Sequence, residues 1–263
     1  MENIVLYCKS YKNDYERVVK LIASIHEYNR DNIPMYISVP KSDIKLFSSI
    51  ENINIVEDEF VYTGNAPGWI QQQIVKSNFW KLNIAENYIC IDSDSYFIRP
   101  FYKRDFMYNE TTPYTVIHEQ KELFSWSSTK VSQLGFNPKE GFINDRKKIM
   151  EVFGRYSKYY DFGPSPIIWA SKVWKSLEDN YSIPNNLTFE DLINYSPSEF
   201  SWYGEALLSF KAIDIYPVEP LFKVFHYPLQ YNEYKTLGIT EDIIAENYMG
   251  IVLQSNFNAN IKY

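Results

Sequence analysis

Long apolar runs, cysteine, glycine-rich loops and basic tracts are all scarce in this 263-residue chain, and each scarcity closes off a class of function. No span approaches the roughly twenty apolar residues that a membrane-crossing helix needs. Met1-Glu2-Asn3 leads straight into Ile4-Val5-Leu6-Tyr7, too short and too acidic at its start for a secretory signal. A soluble cytoplasmic protein is the expectation. Only Cys8 and Cys90 are present, both in expected strands, so buried reduced thiols are expected and a disulfide is not. If the first and fourth strands are neighbours, those thiols lie close together. With 33 acidic against 26 basic residues, a net charge of −7 and no basic run, the chain lacks the positive surface on which nucleic-acid binding depends. Neither a Gly-rich dinucleotide fingerprint nor a Walker loop follows the first apolar run. No internal repeat, low-complexity tract, linker or Ser-His-Asp signature stands out.

What is present is globular: 45% hydrophobic and 22% charged residues, at a length that suits one α/β domain. Aromatic residues reach 17%, with 23 Tyr, whose apolar rings and polar tips suit a sugar or nucleotide groove; compositional drift gives the same excess. Ile4 to Cys8 reads as a strand. An Asn13-x-x-Glu16 start then opens a helix to about Asn29, with Tyr15, Val18, Val19, Ile22 and Ile25 at helical spacing. Met35 to Val39 is a second strand, Ser42 to Ile50 a short helix and Ile53 to Val56 a third strand. Such alternation predicts a parallel sheet with right-handed crossovers. Tyr11, in the first strand-to-helix loop, is placed where a base could stack, or is simply an exposed Tyr.

The chain is organised around Tyr88-Ile89-Cys90-Ile91-Asp92-Ser93-Asp94-Ser95-Tyr96. The apolar run reads as a strand buried on both faces, and carboxylates at its C-terminal end fall where α/β sheets open their ligand crevice. Two anionic side chains this close call for a cation, and Mg²⁺ or Mn²⁺ takes one or two carboxylates while filling its other positions with water and phosphate oxygens. Asp-Ser-Asp-Ser is equally a turn composition. The preceding helix, from Ile70 to Leu82, carries Gln72 and Lys76 one turn apart, placed either to hold ribose, hydroxyls or phosphate or to form a solvated face.

Beyond Pro100 the periodicity weakens. Tyr114 to Ile117 reads as a strand, 125–132 is Ser/Thr-rich, and Asn144 to Phe153 reads as a helix. A Gly/Pro-bracketed loop at Gly163 precedes a helix from Ala170 to Leu177. A Ser198-capped helix follows with two acids, Glu199 and Glu205; about 120° apart around the axis, they cannot share a face. Gly204 removes bulk beside Glu205, so Glu205 is taken as the functional acid. Ile213 to Tyr216 and Leu221 to Phe225 read as strands, the second delivering His226 among aromatics, where a core histidine is the commoner outcome. Glu241 to Glu246 reads as a last helix.

With Asp92-x-Asp94, Gly163, Glu205 and His226 in order, the chain resembles the GT-A class of nucleotide-sugar-dependent glycosyltransferases. It is most similar to a bacterial group carrying a Gly-Trp-x-x-Gln-Gln-x-x-Lys helix before the Asp-x-Asp strand, matched by Gly68-Trp69-Ile70-Gln71-Gln72-Gln73-Ile74-Val75-Lys76. The resemblance implies a Rossmann-like, mixed and mainly parallel sheet flanked by helices in a single domain, 1–263, with residues 1–100 binding the nucleotide sugar and 101–263 the acceptor. It implies Mn²⁺ or Mg²⁺ on the donor diphosphate, with Asp94 as direct ligand, Asp92 acting through water or the ribose, and His226 as a further ligand. It implies a donor, most naturally a UDP-sugar, contacted by Tyr11, Gln72, Lys76, Asp92 and Gly163, and Glu205 as general base, although a single acid stands where the family commonly has Glu-Asp. Lys76 or Arg99 would add positive charge. A glycan or lipid-linked glycan acceptor in surface-polysaccharide synthesis, at the inner face of the cytoplasmic membrane, follows from the resemblance; an inverting or retaining outcome does not.

Three rivals share parts of this pattern. A haloacid-dehalogenase-type phosphatase also places Asp-x-Asp after an apolar strand, but close to the chain start and with a downstream acidic pair, neither of which is found. A sugar nucleotidyltransferase expects a Gly-rich loop where this chain has Cys8-Lys9-Ser10-Tyr11. A non-catalytic sugar-binding module would keep the aromatics and lose the metal or the base.

Overall fold

A computed structural model describes residues 1–254. Strand β1 (Glu2–Lys9) has its alternate side chains buried on opposite faces of the sheet: Ile4, Leu6 and Cys8 in one core, Val5 and Tyr7 in the other. Burial on both faces is what a continuous apolar run specifies when helices cover the sheet. Helix α1 (Tyr15–Tyr28) closes the first face with Val18, Leu21, Ile22 and Ile25. Then come β2 (Met35–Val39), a single-turn α2 (Ile44–Phe47) and β3 (Asn54–Glu57). Helix α3 (Gly68–Asn78) crosses the second face, places Ile74 in its core and leads to β4 (Ala85–Cys90).

The main sheet runs β3-β2-β1-β4-β7, with β7 spanning Ile167–Ala170. Its first four strands are parallel, and β7 is antiparallel to β4. The chain winds outward from β1 to β3 and then returns to the other side of β1 at β4, so the sheet switches direction between β1 and β4. That switch point is where doubly wound sheets open a crevice at the carboxyl ends of their strands. Tyr7 pairs with Cys90, so Cys8 and Cys90 are on adjacent strands as expected; both are free, and burial pushes both thiols above the usual range.

The Asp92 carbonyl accepts from the Ser95 amide at 3.2 Å. The chain therefore turns, and β5 (Ser95–Phe97) leaves the main sheet for a second one, β5-β10-β9. Between them lie β6 (Thr115–Val116), α4 (Lys121–Ser128), α5 (Val131–Leu134), α6 (Pro138–Val152), α7 (Ser171–Leu177), α8 (Phe189–Tyr195), α9 (Glu199–Phe210) and β8 (Pro217–Val218). After β9 (Phe222–Phe225) come α10 (Pro228–Thr236), α11 (Glu241–Ala245) and β10 (Gly250–Leu253). The whole is one compact α/β domain with mixed, mostly parallel sheets flanked by helices. Among the described residues no helix is long and apolar enough to cross a membrane.

Several local expectations are corrected. The run from Tyr88 to Ile98 divides between two sheets at the Asp92 turn. Residues 213–216 are irregular, and the short strand that pairs with β6 is Pro217–Val218. The stretch at 125–132 is largely helical, and the helix expected from Asn144 starts at Pro138, capped by Asn137 accepting from the Lys139 amide at 3.1 Å.

Candidate functional site

The carboxyl ends of β1 and β4 bring together residues from four segments. The β1–α1 loop supplies Tyr11, and the start of α3 supplies Trp69 and Gln72. They line one cleft of about 720 Å³, which also reaches Asn13 and Arg17. Tyr11 is 40% and Trp69 54% exposed, leaving two aromatic faces open to a flat ligand. Asp94 lies beyond, in a second and smaller cleft of about 180 Å³ with Ser93, Ser95 and Arg17.

Lys76 is placed differently from expectation. Only 3% exposed, it points inward from α3, and its ammonium donates to Asp92 Oδ1 at 2.5 Å and to Glu199 Oε1 at 3.2 Å. Burial alone would push this ammonium down, but Asp92 and Glu199 together carry it well above the ordinary lysine range. Lys76 is therefore charged and committed to protein carboxylates rather than open to a ligand. Gln73, the neighbour of the expected Gln72, accepts from the Glu199 amide through its Oε1 at 3.3 Å, and the Asp92 amide donates to Ser165 Oγ at 2.7 Å. The helix before the strand, the strand's own end, the Gly163 loop and the start of α9 are thereby fastened around one buried cation.

The two acids of α9 lie in different surroundings. Glu199 sits at the sheet mouth, its carboxyl pushed up by burial while Lys76 draws it part of the way back. Glu205 is 2% exposed and receives Arg155 in a fork, Nε to Oε2 at 2.7 Å and Nη2 to Oε1 at 2.5 Å. With both oxygens held and buried, Glu205 is a structural carboxylate and not an open general base. Gly204 makes room for protein, not substrate: a Cβ there would stand 2.0 Å from the Phe162 ring. Gly163 likewise meets protein. Its carbonyl accepts from His118 Nε2 at 2.7 Å, and an added Cβ would lie 3.2 Å from Phe200.

His226 follows the last residue of β9. Leu253 of β10 is flanked by Phe225 on β9, and its amide donates to the Asp94 carbonyl at 2.9 Å. Asp94 and His226 thus share one end of the second sheet, two strand spacings or roughly 10 Å apart. They open on different clefts, however. His226 lines one of about 390 Å³ with His118, Glu122, Glu219, Tyr160 and Tyr248. Burial pushes its imidazole down to about 4, so it is neutral near pH 7. Among the described residues no group of three or more His, Cys, Asp and Glu side chains is arranged to hold a metal ion. Asp92, Asp94 and His226 are therefore not a protein-only metal cage, and Asp92 has Lys76 as its cation. What the donor set does fit is an ion shared with a diphosphate, for which one carboxylate suffices beside phosphate and water oxygens.

Behind the His118 cleft lies a buried network that sequence reasoning missed. Asp161 accepts from Arg146 Nη2 at 2.8 Å, from Gln120 Nε2 and from the Gly163 amide at 3.2 Å. Burial alone would raise its carboxyl; Arg146, His118 and these hydrogen bonds hold it instead at about 2. A depressed carboxyl stabilises the fold above its unfolded value, near 3.8, and that contribution is lost as pH falls through about 2. Asp161→Asn is accordingly expected to lose about 2 kcal/mol near pH 7 and to flatten the urea-denaturation profile between pH 4 and 2. An unchanged acid limb in the variant would refute the assignment. No local motif marks Asp161, because its partners come from α6 and from the loop before α4.

The family model described as a family of unknown function, DUF6492, matches residues 3–152. That span holds Tyr11, Gln72, Lys76, Asp92 and Asp94; Gly163, Glu199, Glu205 and His226 lie beyond it. No curated protein matches the chain.

Proposed function

We propose that this chain, which belongs to the DUF6492 family, transfers a sugar from a nucleotide-diphosphate donor to a hydroxyl acceptor by GT-A-type chemistry. The observation that carries this reading is the placement of Asp94 beside an open aromatic and amide-lined cleft at the β1/β4 switch point. Tyr11 and Trp69 offer faces to the base, and Gln72 offers amide hydrogen bonds to the ribose. Asp94 then faces the diphosphate, and the transferred sugar extends toward the cleft of His226, two strands away. When bound, Mn²⁺ or Mg²⁺ would be held by Asp94 and the phosphates, with Asp92 acting through water, and would offset the charge that grows on the leaving diphosphate.

The protein's own contribution is to fix these groups before the donor arrives. Lys76 ties down Asp92, Ser165 holds its amide, and the β5–β10 pairing holds the Asp94 backbone. Glu205 enters as a positioning group: its clamp with Arg155 anchors α9, whose first residue, Glu199, closes the ring around Lys76. An acceptor hydroxyl entering through the cleft of His226 would meet a neutral imidazole, to which it can donate a hydrogen bond. A glycan or lipid-linked glycan acceptor suits the tyrosines and carboxylates of that cleft.

The test is to incubate the purified chain with UDP-, GDP- and dTDP-sugars and Mn²⁺ or Mg²⁺, reading release of the nucleoside diphosphate. Slow release from at least one donor, abolished by EDTA and restored by added metal, is the expected result. Tight donor binding without release in any metal would identify a sugar-binding module instead. Inorganic phosphate released from sugar phosphates would favour a phosphatase.

A further inference from the structure

Two cations on α1 belong to no motif, yet both reach the sheet mouth. Arg17 lines the 720 Å³ cleft with Tyr11 and Gln72, and it also lines the 180 Å³ cleft with Asp94. Its side chain therefore stands on the boundary between the two. Lys20, one turn further along α1, lines the smaller cleft, with its ammonium 3.5 Å from the centroid of the Tyr96 ring. The charged groups lining that cleft are thus two cations and the Asp94 carboxylate, in a chain whose net charge is −7.

The neighbouring acids do not consume these cations. Asp14 takes one arm of Arg17, Nη1 to Oδ1 at 2.7 Å, and leaves the rest of a side chain that is 46% exposed. Glu241 draws on Lys20 from outside the cleft while accepting the Tyr96 hydroxyl at 2.7 Å, and partial burial still holds the Lys20 ammonium below its ordinary range. Guanidinium and ammonium groups here can reach separate phosphates of one diphosphate, the first as a planar fork and the second as a point charge. Ser93 and Ser95 belong to the same smaller cleft.

We propose that Arg17 and Lys20 hold the diphosphate of the donor directly, with Arg17 spanning from the nucleoside cleft to the cleft of Asp94. This rests on the donor reading above and deepens it: the chain's own cations bind the phosphates, so that binding and metal-assisted transfer are separable. Inorganic pyrophosphate should compete for the same place.

Calorimetric titration of uridine, guanosine and thymidine diphosphates, each in EDTA, tests this on the intact chain and on Arg17→Gln, Lys20→Gln and the double variant. The wild type is expected to bind at least one of the three without metal. Each single variant should weaken that binding roughly tenfold and the double variant about a hundredfold. The matching nucleoside, which has no phosphate, should lose nothing, and melting temperatures should differ by a few degrees at most, Arg17 being 46% exposed and Lys20 only partly buried. If the variants bind the diphosphate as tightly as the wild type, the assignment of Arg17 and Lys20 is wrong and the donor reading stands. A wild type that binds a diphosphate only with metal also overturns the assignment while leaving the donor reading intact. Binding of no nucleoside diphosphate, with or without metal, would overturn both.

Discussion

Asp94→Asn is expected to lower nucleotide-sugar turnover roughly 10²- to 10³-fold, the scale seen when one preorganised charge-stabilising group is removed from a reaction centre. The substitution keeps the size and one carbonyl oxygen of the side chain and removes only its charge. Asp94 is partly exposed at a turn whose backbone is held by Ser95 and Leu253, so stability should change by no more than about 1 kcal/mol. Asp92→Asn makes the useful contrast. Asp92 is the ion-pair partner of Lys76, so its loss should lower stability as well as rate, whereas the change at Asp94 should act mainly on rate. Release of nucleoside diphosphate and thermal unfolding, measured on the same preparations, separate the two. Turnover by Asp94→Asn at the wild-type rate would remove the central group from the mechanism.

The parts of the fold that could be read from the sequence are those whose cause is local. Ile4 to Cys8 and Met35 to Val39 are apolar runs bounded by turn residues, and β1 and β2 fall on them. The α1 stripe at Val18, Ile22 and Ile25 is helical in spacing and buried in fact. Two strands escaped because their cause is not local. Ile167–Ala170 follows two prolines, which read as a loop, yet it pairs antiparallel with β4 from Asn87 to Cys90. Gly250–Leu253 is a four-residue run that acquires meaning only between β5 and β9.

The same distinction separates the candidate site residues. Asp92 and Asp94 were visible because an apolar strand runs into them. Lys76 was visible as a helical neighbour of Gln72, but its burial was not, since its partners come from 16 and 123 residues away. Glu199 and Glu205 lie on different faces, as the helical wheel requires, and the one expected to be open, Glu205, is held by Arg155 while Glu199 meets Lys76. Gly204 looked like room for substrate, and the occupant of that room, Phe162, comes from a loop some forty residues upstream. A glycine records that something approaches; the sequence does not record what.

The buried cation offers the largest stability effect. Lys76→Met removes the charge shared by Asp92 and Glu199 while keeping an unbranched side chain in the space. Two carboxylates are then left together, one of them 3% exposed, and a loss of about 3–5 kcal/mol near pH 7 is expected, as for other broken buried pairs. The pH dependence fixes the cause. Burial raises the folded Glu199 carboxyl above its unfolded value, so the native state binds more protons than the unfolded chain in the window above about 4.5. Stability therefore falls as pH rises through that window. Without Lys76 only a backbone hydrogen bond still draws the carboxyl down, so urea unfolding should show a steeper fall between pH 5 and 8 in the variant than in the wild type. Lys76→Met combined with Glu199→Gln should regain much of the loss and flatten the slope, because the amide needs no counter-charge. A single variant that unfolds with the wild-type pH profile, or a double variant no more stable than the single, would mean that Lys76 fills space and does not join the sheet mouth to α9 through charge.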